Sequence, residues 1–180
     1  MAKKHARRDV IIVLTGPESC GKTQLAEQLS VRLSLPVVAE HARNYLQSMP
    51  PGWQYKPSDL IALVKLQQAS EEGAHNLILD TDLLTLIIWW REKYGPVPAV
   101  FQDAMQCQSP RHYLLCAPDI VWQPDPLREN PRDRERLFEI YQHELRVRDL
   151  PFDVVHGIGQ KRLDCAIAAL EKRTSNRTIG

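Results

Sequence analysis

Four residues at fixed spacing open the question of chemistry. Gly16, Gly21, Lys22 and Thr23 satisfy G-x-x-x-x-G-K-[ST] within Gly16-Pro17-Glu18-Ser19-Cys20-Gly21-Lys22-Thr23. Such a loop turns its backbone N–H groups inward and leads into a helix whose N-terminus favours anions, so it suits a chain of phosphates. A lysine at this place reaches the β- and γ-phosphates of a nucleotide, and the hydroxyl after it ligates Mg²⁺. The whole run from Gly16 to Gln24 therefore reads as the ATP-binding segment, with Thr23 as a metal ligand. Cys20 sits inside it, where helix N–H groups lower a thiol's pKa.

Three carboxylates stand where such a loop can use them. Glu40 follows the apolar run 36–39, and Asp80 and Asp82 follow the run beginning at Leu77. In an open parallel sheet, ligands bind beyond the carboxyl ends of the strands. Continued strand geometry would put Asp80 and Asp82 on one face. Asp80 is then read as holding Mg²⁺ together with Thr23. Transfer of a phosphoryl group to an alcohol needs a proton acceptor, for which Glu40 is the first candidate and Asp82 the second. Arg43, three residues past Glu40, suits substrate or phosphate. Arg128, Arg132, Arg134 and Arg136 form an arginine-rich run. Arg128 and Arg132 are its candidates for closing over ATP and offsetting charge on the transferred group.

These residues need a scaffold. Five short, continuous apolar runs (10–14, 36–39, 77–80, 112–116 and 152–156) read as strands covered on both faces. Helical periodicity lies between them, over residues 23–33, 58–72, 83–94, a segment opened by Asn130-Pro131-Arg132-Asp133, and 160–172. Strand and helix alternate, which implies an α/β P-loop NTPase fold. Its five-stranded parallel sheet is sandwiched by helices, with an arginine-bearing lid. The domain is expected over residues 10–172, with a basic tail at 1–9 and a frayed tail at 173–180.

Composition narrows the function classes. Net charge is +1, so no whole-protein field points to nucleic acid or a membrane. No apolar run approaches a membrane span of ~18 residues. The four cysteines are scattered with no C-x-x-C, which argues against zinc or a disulfide framework. A cytoplasmic location is expected, with no obligate protein partner evident. No asparagine is followed by lysine, which removes the Asn-Lys-x-Asp guanine reader. The short chain fits a kinase of small molecules.

Taken together, Gly16–Thr23, Glu40-His41-Ala42-Arg43, Asp80-Thr81-Asp82 with Thr85 and Trp89, and Trp122 with Asp125 and Leu127-Arg128 resemble the nicotinamide-riboside kinase domain of the bacterial NAD-regulatory protein NadR. The resemblance runs from about residue 9 to 172. It implies transfer of the ATP γ-phosphate, with Mg²⁺, to the 5′-hydroxyl of nicotinamide riboside. Pro126 departs from the Asp-Gly that usually stands in the last block. No adenylyltransferase segment fits in the nine residues before the first strand, so a stand-alone domain is expected. Nicotinamide on ribose is a cationic ring, which aromatic faces stabilise by roughly 0.5–2 kcal/mol each. Trp122 with Asp125, and Trp89, are the candidates for that contact. Another nucleoside or nucleotide acceptor, or an ATP-binding module without turnover, remain as alternatives.

Overall fold

The computed structural model describes residues 10–50, 52–125, 128 and 132–176. Strands β1 (Ile11–Thr15), β2 (Val37–Val38), β3 (Leu77–Asp80), β4 (Arg111–Cys116) and β5 (Phe152–Val155) form one sheet. Its order is β2-β3-β1-β4-β5. Every pairing is parallel, with Ile12 beside both Ile78 and His112. Among the described residues seven helices cover it: α1 (Lys22–Leu33), α2 (His41–Gln47), α3 (Pro57–Glu71), α4 (Leu83–Tyr94), α5 (Ala99–Gln106), α6 (Arg134–Val147) and α7 (Gln160–Asn176).

Two-residue periodicity sorts the sheet into two cores. Ile12 and Leu14 point to one face, where Leu25 and Leu29 of α1 and Ala166 of α7 pack. Ile11 and Val13 point to the other, against Leu84 and Ile88 of α4 and Tyr141 and Leu145 of α6. Full burial of one such side chain is worth about 1.5–3 kcal/mol. The opposite stripe of α4, with Leu83, Ile87 and Trp90, builds a third cluster with α3 and α5. That double burial explains why α4 is apolar nearly all round.

The expected fold is therefore the observed one, with local differences. β2 has two residues and β5 is mostly half-buried, because both are edge strands. The short helices α2 and α5 escaped the periodicity reading. α2 spans seven residues and buries only Ala42, and α5 follows the prolines at 96 and 98. α6 begins at Arg134 with Asp133 at its N-cap, and the Asp133 carboxylate binds Arg136 rather than capping the helix. The proposed cap pair, Asn130 and Pro131, lies outside the described residues, as do the basic tail and Pro126. α7 continues to Asn176, beyond the expected end at 172.

The topology also fixes where a ligand can sit. After β1 the chain crosses by α1 on one face, and after β3 by α4 on the other. The carboxyl ends of β1 and β3 thus flank a switch point, the natural crevice of an open α/β sheet.

Candidate active site

The loop after β1 occupies that crevice. Gly16 has φ 131°, and a Cβ there would lie 2.7 Å from the Cys116 carbonyl oxygen, so only glycine lets the loop cross β4 this closely. Gly21 has φ 76°, and a Cβ there would come 2.6 Å from Ile120 Cδ1. No side chain caps the first turn of α1, which begins at Lys22. Its N–H groups are left for an anion.

Side chains from distant segments brace the loop. Buried Arg162 donates to the carbonyls of Cys20 (2.6 Å), Ala117 (2.8 Å) and Gly157 (2.7 Å). Arg134 donates to Ser19 O at 3.2 Å and Ile120 O at 2.7 Å, and the Gln123 amide donates to Ser19 Oγ at 2.9 Å. The Lys22 ammonium donates to Gly16 O (3.0 Å) and Pro17 O (2.8 Å) and lies 3.8 Å from Cys20 Sγ. Arg162 thus serves as a strut, its guanidinium turned inward at 3% exposure.

The structure separates the three carboxylates. The Thr23 hydroxyl donates to Asp80 Oδ2 at 2.6 Å. Asp80 Oδ1 is buried without a hydrogen-bond partner. A buried, unpaired carboxylate oxygen is costly, and here it lies on the acid joined to the loop hydroxyl. Hard oxygen donors of this kind suit Mg²⁺, which takes one or two protein oxygens beside phosphate oxygens and water. Thr23 and Asp80 thus suit Mg²⁺ as its protein oxygen donors.

Glu40, at the N-cap of α2, lines the same cavity as Lys22, Thr23 and Arg43. That cavity holds about 240 Å³. Burial pushes the Glu40 carboxyl above its ordinary range, against the pull of Lys22 and with the help of the Asp80 charge. Arg43 Nε lies 3.7 Å from Glu40 and Nη1 donates to Asp125 Oδ2 at 2.9 Å, tying α2 to the segment after β4.

Asp82 corrects the sequence reading. Thr81 has φ 70°, so the strand ends at Asp80 and the shared-face argument fails. Asp82 is buried as the N-cap of α4 and does not line the cavity. Its Oδ1 accepts from the Leu84 amide at 3.0 Å, and its Oδ2 from Tyr113 at 2.7 Å and Arg111 at 3.3 Å. Burial raises its pKa, with Arg111 and Tyr113 pulling the other way. Asp82 is a structural acid. Asp82→Asn is expected to cost about 2–3 kcal/mol of stability through mispaired Arg111 and Tyr113. A thermal or urea unfolding curve that matched the parent would contradict this.

The arginines and aromatics divide as well. Arg128 lines the cavity and sits 3.4 Å from Ser19 Oγ. Arg132, expected on ATP, is exposed and away from the cavity lining. The helix starts at Arg134, and that phase turns Arg134 to the loop in its place. The segment expected as a lid falls partly outside the described residues. Trp122 does not line the cavity, and its ring meets the guanidinium groups of Arg128 (6.0 Å) and Arg134 (5.9 Å). Its expected role against a cationic ring is therefore withdrawn, because arginines hold it. Trp89 does line the cavity and stacks with Tyr55. Tyr141 and Thr85 join the lining.

Cys20 is fully buried. Burial works to raise its pKa, but a hydrogen bond from the Cys116 thiol and the charges of Lys22 and Arg162 outweigh it and bring the thiol down to about 6. The Lys22 ammonium is held above the usual lysine range. Burial acts against it, and Cys20, Tyr141, Glu40 and Asp80 overcome burial. A bound triphosphate would oppose the Cys20 thiolate and raise its pKa. Binding above pH 6 then takes up a proton, so affinity falls as pH rises, by at most about tenfold per unit for one proton. Calorimetric titration of ATP between pH 6 and 8 should show this slope, and Cys20→Ser should flatten it. An equal slope in both proteins would refute the linkage.

Among the described residues no group of three or more His, Cys, Asp or Glu side chains is placed to hold a metal ion by itself, and no helix is long and apolar enough to cross a membrane.

Comparison with known proteins agrees with this architecture. No curated protein matches the chain. Among solved structures, the NadR protein in complex with NAD and AMP-PNP superposes with a TM-score of 0.71 at 18% identity, covering 93% of this chain and 50% of that one. The NadR protein in complex with NR gives 0.70 at 18% identity, covering 91% and 49%. The chain thus spans about half the length of NadR. Deoxyadenosine kinase from M. mycoides, with dCMP and dCDP, gives 0.63 at 14% identity, covering 91% and 100%. These likenesses show a shared fold. Residues 11–162 match the family described as an AAA domain. With its phosphate loop, parallel five-stranded sheet and match over most of its length, the chain belongs to the AAA domain family of P-loop proteins.

Proposed function

We propose that this protein is an ATP-dependent small-molecule kinase that phosphorylates the 5′-hydroxyl of a nucleoside, with nicotinamide riboside as the acceptor. One observation carries the reading. A half-buried carboxylate of raised pKa, Glu40, shares a cavity with the Lys22–Thr23 cradle, and Asp80 is bonded to Thr23 of that cradle. A phosphate site alone serves many functions. A phosphate site facing a basic carboxylate serves transfer to an alcohol.

In this reading the Gly16–Thr23 loop binds the ATP phosphates and Lys22 turns from the Gly16 and Pro17 carbonyls to the β- and γ-phosphates. Thr23 and Asp80 hold Mg²⁺, which when bound neutralises phosphate charge. Glu40 accepts the proton of the sugar hydroxyl as its oxygen bonds to the γ-phosphorus. The bond from that phosphorus to the β–γ bridging oxygen breaks, and ADP leaves. Arg43 orients Glu40 and Arg128 offsets charge on the transferred group. Trp89, which lines the cavity, offers a face for a planar ring. The fold shared with NadR bound to NR supports this acceptor, and the fold shared with deoxyadenosine kinase supports nucleoside acceptors generally. A nucleotide acceptor is the second reading. Its phosphate would require Arg43, which is held by Asp125.

The test is incubation with ATP, Mg²⁺ and a panel of nucleosides and nucleotides, reading ADP release and product mass. A riboside gaining one phosphate is the expected product. ADP release with only a nucleotide acceptor would move the assignment to the second reading, and no phosphorylated product with any acceptor would end the kinase reading.

A further inference from the structure

Two thiols that the transfer reaction does not use lie together at the phosphate loop. Cys20 sits in the loop and Cys116 ends β4, and both are fully buried in the core beneath α1. Three contacts bring them side by side. An ideal Cβ on Gly16 would lie 3.4 Å from Cys20 Sγ and 3.4 Å from the Cys116 amide nitrogen. One arm of the Arg162 guanidinium donates to the Cys20 carbonyl, and the other to the carbonyl of Ala117, the residue after Cys116. The Cys116 thiol itself donates to Cys20 Sγ.

The two sulfurs are prepared for different parts. Burial works against ionising Cys20, but the Cys116 hydrogen bond and the charges of Lys22 and Arg162 bring its thiol down to about 6. At neutral pH the nucleophilic thiolate therefore prevails. The Lys22 ammonium lies 3.8 Å from that sulfur. Cys116 keeps its proton, because the hydrogen bond to Cys20 and burial hold it well above the ordinary thiol range. A thiolate beside a thiol that can resolve it is the arrangement of a reversible redox site. In the closed loop bulk solvent touches neither sulfur. Cys20 lines the cavity at the loop, so a small oxidant comes by the nucleotide's own path, when the loop opens with no nucleotide in it.

We propose that a hydroperoxide converts Cys20 and Cys116 into a reversible disulfide, and that this bond closes the phosphate loop to nucleotide. The Cys20 sulfur attacks one peroxide oxygen, the O–O bond breaks, and hydroxide leaves. The peroxide is reduced, and Cys20 becomes a sulfenic acid. The Cys116 sulfur then bonds to the Cys20 sulfur as the S–O bond breaks, and the hydroxyl leaves as water with the Cys116 proton. A covalent S–S bond is shorter than the hydrogen bond it replaces, so one cysteine must move. Cys116 is held, because β4 pairs with β1 on one side and β5 on the other. The loop moves instead and carries its backbone N–H groups out of register with the phosphates. A bound triphosphate opposes the reaction, since it fills the path and favours the protonated Cys20 thiol. The proposal rests on nucleotide binding at this loop and not on the identity of the acceptor.

The test treats the full chain with hydrogen peroxide, in the presence and absence of ATP and Mg²⁺. Cys107→Ser is carried throughout to remove the exposed thiol. Mass spectrometry of a non-reducing digest locates linked cysteines. Calorimetry gives ATP affinity before treatment, after it, and after dithiothreitol. The expected result is a Cys20–Cys116 link, ATP affinity lower by about tenfold or more, and recovery with dithiothreitol. ATP present during treatment should suppress the link. In Cys116→Ser the oxidation should stop at the Cys20 sulfenic acid, which dimedone traps. Cys116→Ala replaces that variant if circular dichroism shows it misfolded. Three results overturn the proposal and leave the kinase reading intact: no Cys20–Cys116 link in the nucleotide-free protein, a link that ATP does not slow, or a linked protein that binds ATP as tightly as the reduced one. Reduced protein with no affinity for ATP overturns the two together.

Discussion

Lys22→Ala is expected to lower turnover by about 10²–10³-fold, roughly 3–4 kcal/mol of transition-state stabilisation, while the protein stays folded. The ammonium lies in the loop, 3.0 and 2.8 Å from the Gly16 and Pro17 carbonyls, and the charges around it keep it protonated at any working pH. Alanine removes a fixed positive charge from the place where phosphate charge shifts during transfer. It also frees two loop carbonyls, at a cost of about 1 kcal/mol each if they find no water. The core beneath does not depend on Lys22, since Leu25 and Leu29 of α1 bury themselves against Ile12 and Leu14. A kinetic assay paired with a circular-dichroism melt separates the two effects. A folded Lys22→Ala protein with near-parent turnover would contradict the role given to the loop.

Glu40→Gln should reduce turnover by about 10²–10⁴-fold, the range expected for a positioned general base, and keep ATP affinity. Glutamine keeps the size of the side chain at the N-cap of α2 and removes its basicity. The loop that binds ATP is braced from elsewhere, by Arg162 and Arg134, so the nucleotide site should persist. The pH profile adds a second reading. A base must be deprotonated to act, so the parent loses activity as pH falls through the Glu40 pKa. Burial places that limb above the ordinary carboxylate range. The limb should vanish in Glu40→Gln. Unchanged turnover would remove Glu40 from the proton transfer, and Asp82 could not replace it, because its oxygens are committed to Leu84, Tyr113 and Arg111.

Asp82 also shows where the sequence stops being legible. Two carboxylates two residues apart look equivalent along a chain. One left-handed residue between them, Thr81, sends Asp80 to the loop and Asp82 into a helix cap. The same holds for the arginines. Arg128, Arg132, Arg134 and Arg136 read as one run, and the start of α6 at Arg134 decides that Arg134 braces the loop, Arg132 faces solvent and Arg136 joins Glu92. Trp122 with Asp125 was the first aromatic candidate and Trp89 the second, and arginine contacts took the first while the cavity kept the second. Nothing local marked Arg162 as a strut or Tyr141 as a cavity residue. A strut 142 residues from its partner is invisible until the chain is folded.

The phosphate loop and the parallel α/β architecture were written in local order. Glycines at fixed spacing, short apolar runs and helical stripes act over a few residues, so the physics that selects them needs no tertiary contact. The choice of the working acid, arginine and aromatic ring belonged to the tertiary structure. A side chain's role there depends on helix phase, on one backbone turn and on which distant group reaches it first, and none of these is set by neighbours in sequence.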